Sequence, residues 1–293
     1  MPERVWTVRD ALGWIVGYLE GKGDPHPRRS AEWLLSAATG LSRVEVYACH
    51  DRPLSTDERS RLREAVARRA AGQPLQLVTG EMPFRHLVIH VRPGVFIPRP
   101  ETEVLVEVAM RELRGVQEPL IAEPCTGSGC VAVSLAYELP TARVMATDAS
   151  EEAVLTARQN ALYAKVGERV QVMHGDLLGP LLARTELRGA FDAVVSNPPY
   201  VPRGQLAGLP REVLDHEPVA ALDGGEDGCE VARRIVAQSL ELLKPGGVVA
   251  LELAEDRAEA YAEELSGVLR AVQVVKDLAG RDRIVVGKTQ EAS

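Results

Sequence analysis

From Leu120 to the end of the chain, short apolar runs alternate with longer runs of helical periodicity, and this alternation restricts the fold more than any other feature. The apolar runs fall at 120–123, 143–147, 170–174, 191–196, 247–253, 271–276 and 282–287. The helical stretches fall at 130–138, 151–165, 228–243 and 256–268. Strands covered on both faces read as continuous apolar segments, and regular strand–helix alternation builds a parallel sheet. The expected class is therefore α/β: a seven-stranded, doubly wound, Rossmann-like sheet with helices on both faces. No helix separates the last two runs. They are expected to close the sheet as an antiparallel hairpin, because parallel neighbours need a long crossover.

The preceding residues have a different pattern. Residues 1–78 read as helices: Val8 to Leu19 and Ala31 to Leu41 are apolar at helical spacing, and Ser55-x-x-Glu58 forms a capping box that opens an Arg-rich helix through Ala71. Residues 79–98 read as a β-hairpin linker, with Leu87–Val91 rich in β-branched residues and a turn at Arg92-Pro93-Gly94. Two prolines then hold Phe96-Ile97-Pro98-Arg99-Pro100 extended before a helix from about Thr102 to Leu113. The expected domains are thus 1–78, a hairpin linker at 79–98, and 99–293.

Charge narrows the partners. Up to Val78 there are 12 Lys and Arg against 10 Asp and Glu, and beyond it 22 against 32. An acidic main domain suits a protein partner better than bare nucleic acid, which rewards a basic stripe. Cys49, Cys125, Cys130 and Cys229 form no C-x-x-C pair, so no metal site is expected, and scattered thiols suit a reducing cytoplasm. The segment beginning Met1-Pro2-Glu3-Arg4 carries charges and no long apolar run, and no stretch approaches the length of a membrane span. A monomer is the default expectation.

The first strand runs into Glu123-Pro124-Cys125-Thr126-Gly127-Ser128-Gly129 and then a helix. Gly127 and Gly129 allow a tight turn and close approach of a ligand, and the helix beyond offers free N–H groups. Asp148 ends the second strand, 21 residues past Gly127, where an acid can accept hydrogen bonds from ribose hydroxyls. Gly127-x-Gly129-x-x-Ala132 also satisfies a loose dinucleotide fingerprint, so a nicotinamide cofactor is a rival at this point. Gly175-Asp176-Leu177 closes the third strand: Asp176 can take the adenine amino hydrogens and Leu177 can flank the ring. Acids at three successive strand ends, Glu123, Asp148 and Asp176, suit S-adenosylmethionine better than a dinucleotide.

The fourth strand ends in Ser196-Asn197-Pro198-Pro199-Tyr200. Successive prolines cannot extend a ladder, so the chain must leave the sheet there, at its ligand edge. An amide nitrogen is a weak nucleophile, and its reaction with a sulfonium methyl needs alignment more than a strong base. The Asn197 side-chain oxygen and the Pro198 carbonyl can accept its two hydrogens, and Tyr200 can stack on the planar group. Asn197, Pro198 and Tyr200 are the candidate catalytic residues, and Asn197 through Tyr200 the candidate substrate contacts. His174 and His216 lie near enough in sequence to be weighed as bases.

With these residues in view, the chain resembles the HemK/PrmC family of protein-(glutamine-N5) methyltransferases. The similarity is carried by Gly72-Gln73-Pro74-Leu75-Gln76, Val78-Thr79-Gly80-Glu81, Ile97-Pro98-Arg99-Pro100-Glu101-Thr102-Glu103, the glycine loop, Asp148, Asp176, Asn197–Tyr200, Glu217-Pro218 and Ala221-Leu222-Asp223-Gly224-Gly225-Glu226-Asp227-Gly228. The resemblance implies a class I methyltransferase sheet behind a small helical domain that helps to grip the partner. It implies methyl transfer from S-adenosylmethionine to the glutamine amide nitrogen of the Gly-Gly-Gln motif in class 1 peptide-chain release factors, leaving S-adenosylhomocysteine. Glu123, Cys125, Thr126, Gly127, Ser128, Gly129, Asp148, Asp176, Leu177 and Asn197 are the implied cofactor contacts. Glu123-Pro124-Cys125 departs from the usual Asp-x-Gly, and Leu177 stands where an aromatic often flanks adenine. The tetrapeptide also fits enzymes acting on a ribosomal-protein glutamine or on adenine N6 of nucleic acid, and a cofactor-binding adapter without turnover is the alternative outside enzymology.

Overall fold

The computed structural model describes residues 5–291; Met1–Arg4, the start of the charged opening segment, and the last two residues of the expected 99–293 domain lie outside them. The chain divides into two compact units between Glu81 and Met82. In the first, α1 (Val8–Glu20), α2 (Pro27–Thr39), α3 (Arg43–Ala48), α4 (Thr56–Ala70) and α5 (Leu75–Thr79) surround a core of Ile15, Leu19, Leu34, Leu35, Val46 and Leu62. Capping boxes start three of these helices, Thr7 with Asp10, Ser42 with Glu45 and Ser55 with Glu58, and each satisfies N–H groups that a helix start leaves unpaired. The box at Ser55 opens α4, as its spacing predicts.

The second unit begins with a two-stranded hairpin, β1 (Glu81–Phe84) and β2 (Leu87–His90). The two strands are joined at Arg85-His86; the turn expected at Arg92-Pro93-Gly94 is present, with Val95 N donating to Arg92 O at 3.3 Å, but it follows the hairpin. Pro83 hides the first strand from a periodicity reading, and Arg85 takes a left-handed φ of 51° to reverse the chain. Phe84 and Ile89 are buried in the main core. The buried Asn160 carboxamide accepts from His90 N and donates to His90 O, each at 2.9 Å, and donates to Ser128 O at 2.8 Å. The hairpin is thereby tied to the glycine loop.

Then follow α6 (Thr102–Glu112), β3 (Leu120–Pro124), α7 (Cys130–Glu138), β4 (Arg143–Asp148), α8 (Glu151–Tyr163), β5 (Val170–His174), α9 (Gly179–Leu182), β6 (Phe191–Ser196), α10 (Arg211–Leu214), α11 (Glu230–Leu242), β7 (Leu243–Glu252), α12 (Glu255–Leu265), β8 (Arg270–Lys276) and β9 (Asp282–Lys288). The strands form one seven-stranded sheet in the order β5-β4-β3-β6-β7-β9-β8. The first five are parallel; β9 pairs antiparallel with both β7 and β8. This is the doubly wound sheet with a closing hairpin that the sequence predicts.

Strand alternation divides the core between the two faces. Ile121, Ala193, Val195, Ala250 and Val286 face one layer with α6 and α7; Ala122, Val194, Val249, Leu251 and Val285 face the other with α11 and α12. Few aromatic residues take part, and Ala, Val and Leu fill both layers. No helix among the described residues is long and apolar enough to cross a membrane.

Candidate active site

Strands β3 and β6 are neighbours, yet the chain leaves β3 toward β4 and β5 and only then returns to β6. Such a reversal opens a crevice beyond the carboxyl ends of the strands. A cavity of about 390 Å³ lies there, within the usual range for a small-molecule site. It is lined by Glu123, Cys125, Thr126, Gly127 and Ser128 after β3, Asp148 at the end of β4, Asp176 and Leu177 after β5, and Asn197 to Tyr200 after β6. The sheet brings together every candidate cofactor, catalytic and substrate-contact residue except Gly129, and leaves out the two histidines weighed as bases.

The two loop glycines do different work. At Gly127, φ is +55° and an added Cβ would meet nothing within 4 Å, so its open side is free for a ligand. At Gly129, φ is +80° and an added Cβ would stand 2.8 Å from the Ala157 Cβ; this glycine lets α8 pack against the start of α7. Gly127 N donates to Asp148 Oδ2 at 2.8 Å and Ser150 N donates to Oδ1 at 2.9 Å. Each oxygen keeps a second lone pair. Burial raises the Asp148 pKa, partly offset by these N–H groups.

Glu123 turns inward. Its Oε2 accepts from Thr126 Oγ1 at 2.7 Å and from Ala132 N in the first turn of α7 at 3.1 Å. Complete burial pushes its carboxyl well above the ordinary range, and Asp148 adds to that. Cys125 adopts φ +59°, a region that suits glycine, and burial raises its thiol, so it is not a thiolate nucleophile. Leu177 also has a positive φ, +46°. Thus two of the five left-handed non-glycine residues among the described residues line the cavity, each storing about 1–3 kcal/mol of strain. Asp176 sits at the exposed lip, where it pairs with Arg234. His174 is exposed and His216 half-buried; they bond to the carbonyls of Ala149 and Glu212 and do not line the cavity.

Two segments fix the turn after β6. Val201 N donates to Leu222 O and Gly224 N to Val201 O, each at 2.9 Å. An added Cβ on Gly224 would lie 2.7 Å from the Tyr200 Cα and 2.8 Å from Pro199 O, and one on Gly228 would lie 2.5 Å from Tyr200 O. The glycines of Asp223–Gly228 therefore permit backbone-to-backbone packing behind Asn197–Tyr200. On the opposite wall, buried Glu217 accepts from Ile97 N at 3.3 Å and pairs with Arg99, holding the Phe96–Pro100 segment across the cavity. The Tyr200 phenol is pushed up to about 12 by burial, so it stays protonated.

Sequence reasoning missed one residue here. Glu252 ends β7, one residue past the Ser196–Leu251 register pair, and is 1% exposed. It lies near Thr102, which lowers its pKa a little against the larger effect of burial, and the Thr102 hydroxyl accepts from Asn197 Nδ2 at 3.0 Å. The available signal was an acid inside the apolar run 247–253.

Comparison with known proteins bears on this geometry. Residues 10–80 match the PrmC N-terminal domain and residues 87–210 the methyltransferase small domain. A release factor glutamine methyltransferase of Geobacter sulfurreducens is 42% identical over 285 residues, 97% of each chain. One of Moorella thermoacetica is 42% identical over 288 residues, 97% of this chain and 99% of that one. This chain belongs to the release factor glutamine methyltransferase family. Among solved structures, the hMettl16 catalytic domain in complex with the MAT2A 3′UTR hairpin 6 is 17% identical, covers 78% of this chain and 83% of its own, and superposes with a TM-score of 0.57. That likeness is one of fold. In this member of the family, the Asp223–Gly228 and Ile97–Glu103 segments are the back and front supports of one turn, Asn197–Tyr200.

Proposed function

We propose that this chain transfers a methyl group from S-adenosylmethionine to the side-chain amide nitrogen of the glutamine in the Gly-Gly-Gln motif of class 1 release factors. The observation that carries the reading is the Asn197–Tyr200 turn, held rigidly at the switch-point cavity of a chain in this family. The cavity fits the donor. Gly127 leaves an open face beside the loop, Asp148 offers lone pairs for ribose hydroxyls, Leu177 supplies an apolar wall, and Asp176 an acceptor at the lip. Thr126, Ser128, Glu123 and Cys125 complete the loop side.

When bound, the sulfonium supplies an electrophilic methyl group. Asn197 Oδ1 and the Pro198 carbonyl accept the two amide hydrogens of the substrate glutamine and set its plane. Both acceptors gain strength as positive charge builds on nitrogen, and preorganised groups aimed at developing charge lower the barrier most. Tyr200, protonated, packs on the planar amide, and Pro199 holds the turn.

The helical unit up to Glu81 serves to grip the release factor. Its α1 carries Trp14 and Tyr18 stacked at 5.1 Å and both partly exposed, the kind of aromatic surface that anchors protein partners. The chain acts as a cytoplasmic monomer on a protein rather than on nucleic acid. The test supplies methyl-labelled S-adenosylmethionine with a release factor and with the same factor carrying alanine for the motif glutamine. Label in the first and none in the second is expected. Equal labelling of both, or none in either beside an active control enzyme, would overturn the reading.

A further inference from the structure

The methyl donor carries two cations, the sulfonium and an ammonium, and one carboxylate. Three acids line the cavity, Glu123, Asp148 and Asp176, but among the described residues that line it Arg99 is the sole cationic side chain. A carboxylate taken out of water needs a charged or strongly donating partner.

The sulfonium bears three substituents. In the proposed function the adenosyl group lies toward Asp148, Asp176 and Leu177, at the ends of β4 and β5, and the methyl group faces Asn197 after β6. The aminocarboxypropyl arm is left with the remaining walls. One of these, Leu209, Val213, Pro218 and Ala220–Leu222, has only apolar side chains. The N-terminus of α7 could receive an anion, but its Ala132 N–H is already given to Glu123. The other is the Gly94–Arg99 segment, which ends in a guanidinium.

That guanidinium is held in place. Arg99 Nη2 donates to the buried Glu217, which also accepts from Ile97 N at 3.3 Å, and the guanidinium lies 4.7 Å from the centroid of the Phe96 ring. Carboxylate and ring fix it against the wall. A guanidinium has five N–H donors, and the bond to Glu217 engages one of them. The side chain lines the cavity and stays 30% exposed, so donors remain accessible. A planar fork held in this way loses little freedom on binding a second carboxylate.

We propose that Arg99 binds the α-carboxylate in the methionine part of S-adenosylmethionine. This rests on the methyl-donor reading above. Glu217 and Phe96 then serve the donor as well as the front wall, by fixing the guanidinium that receives it.

The test is equilibrium titration with S-adenosylmethionine and with its decarboxylated form, which keeps the adenosyl group, the sulfonium and the amine. Arg99→Gln should weaken binding of the first at least tenfold and should not weaken binding of the second. Arg99→Gln also leaves Glu217 buried without its partner. The double variant Arg99→Gln/Glu217→Gln removes that charge, is measured beside it, and is expected to show the same selective loss. Retained binding of the decarboxylated form reports an intact cavity. Unchanged affinity for S-adenosylmethionine in both variants, or equal weakening of both ligands in both variants, would overturn the proposal while the donor reading stands. A wild type that binds neither ligand sinks the two together.

Discussion

Gly224→Ala isolates the support behind the catalytic turn. Gly224 has no left-handed φ, so alanine is conformationally acceptable there and the effect must come from contact. Its Cβ would stand 2.7 Å from the Tyr200 Cα and from Gly228 O, and 2.8 Å from Pro199 O. All three are backbone atoms, which cannot swing aside as a long side chain would. Ordinary contact begins near 3.4 Å, so the two segments must separate by about 0.7 Å. Overpacking of this kind costs about 1–3 kcal/mol of stability. Misplacement of reacting groups by 1 Å can cost about a hundredfold in rate, which for this shift gives roughly a 20-fold fall in kcat. Steady-state methyl transfer to a release factor, with cofactor affinity from equilibrium titration, is the assay. Gly204→Ala is the control, because a Cβ there meets nothing within 4 Å. The result that refutes the reasoning is a folded Gly224→Ala protein whose kcat stays within twofold of wild type.

The remaining predictions concern the site's polar groups. Asn197→Ala removes one acceptor from a developing charge and should raise the barrier by about 2–4 kcal/mol while cofactor affinity holds, as single-turnover rates and titration will tell. Asp148→Ala should weaken cofactor binding; in the wild type, affinity should fall on acidification from a higher pH than for a free aspartate, since burial raises this pKa and only the carboxylate accepts from a hydroxyl at both oxygens. Glu252 is raised to about 7, chiefly by burial. Its folded form holds a proton that the unfolded form has lost, so the group's ionisation removes stability as pH rises from the ordinary carboxylate range to about 7. Glu252→Gln should therefore stabilise the protein above that pH, by up to about 3 kcal/mol, and the gain should shrink as pH is lowered, as denaturant melts at several pH values will show.

The strands of the main sheet are legible in the sequence because most are short apolar-rich runs set between helical stretches, and Phe191–Ser196 and Val170–His174 fall where those runs predict. The helix opened by Ser55 is legible because its cap is local, within three residues. The first hairpin strand is not, since Pro83 interrupts its pattern and burial of Phe84 depends on a core built by later residues. The cavity's lining residues were legible because strand ends converge by topology. The inward turn of Glu123 was not: nothing local announces that its carboxyl will cap the start of α7. Glu217 and Ile97 meet across 120 residues, and Thr102 and Asn197 across 95, so their pairing exists only once the sheet has formed. Gly129 looked like Gly127 in sequence and differs only in what packs beside it.

The central claim is that Asn197–Tyr200 presents a glutamine side-chain nitrogen of a release factor for methylation. It is tested most directly by incubating the protein and S-adenosylmethionine with an unmodified class 1 release factor and sequencing the Gly-Gly-Gln peptide by tandem mass spectrometry. One methyl group on the motif glutamine's side-chain nitrogen, absent with Asn197→Ala over the same interval, is the predicted result. An unmodified motif, or a methyl group placed on another residue, would contradict it.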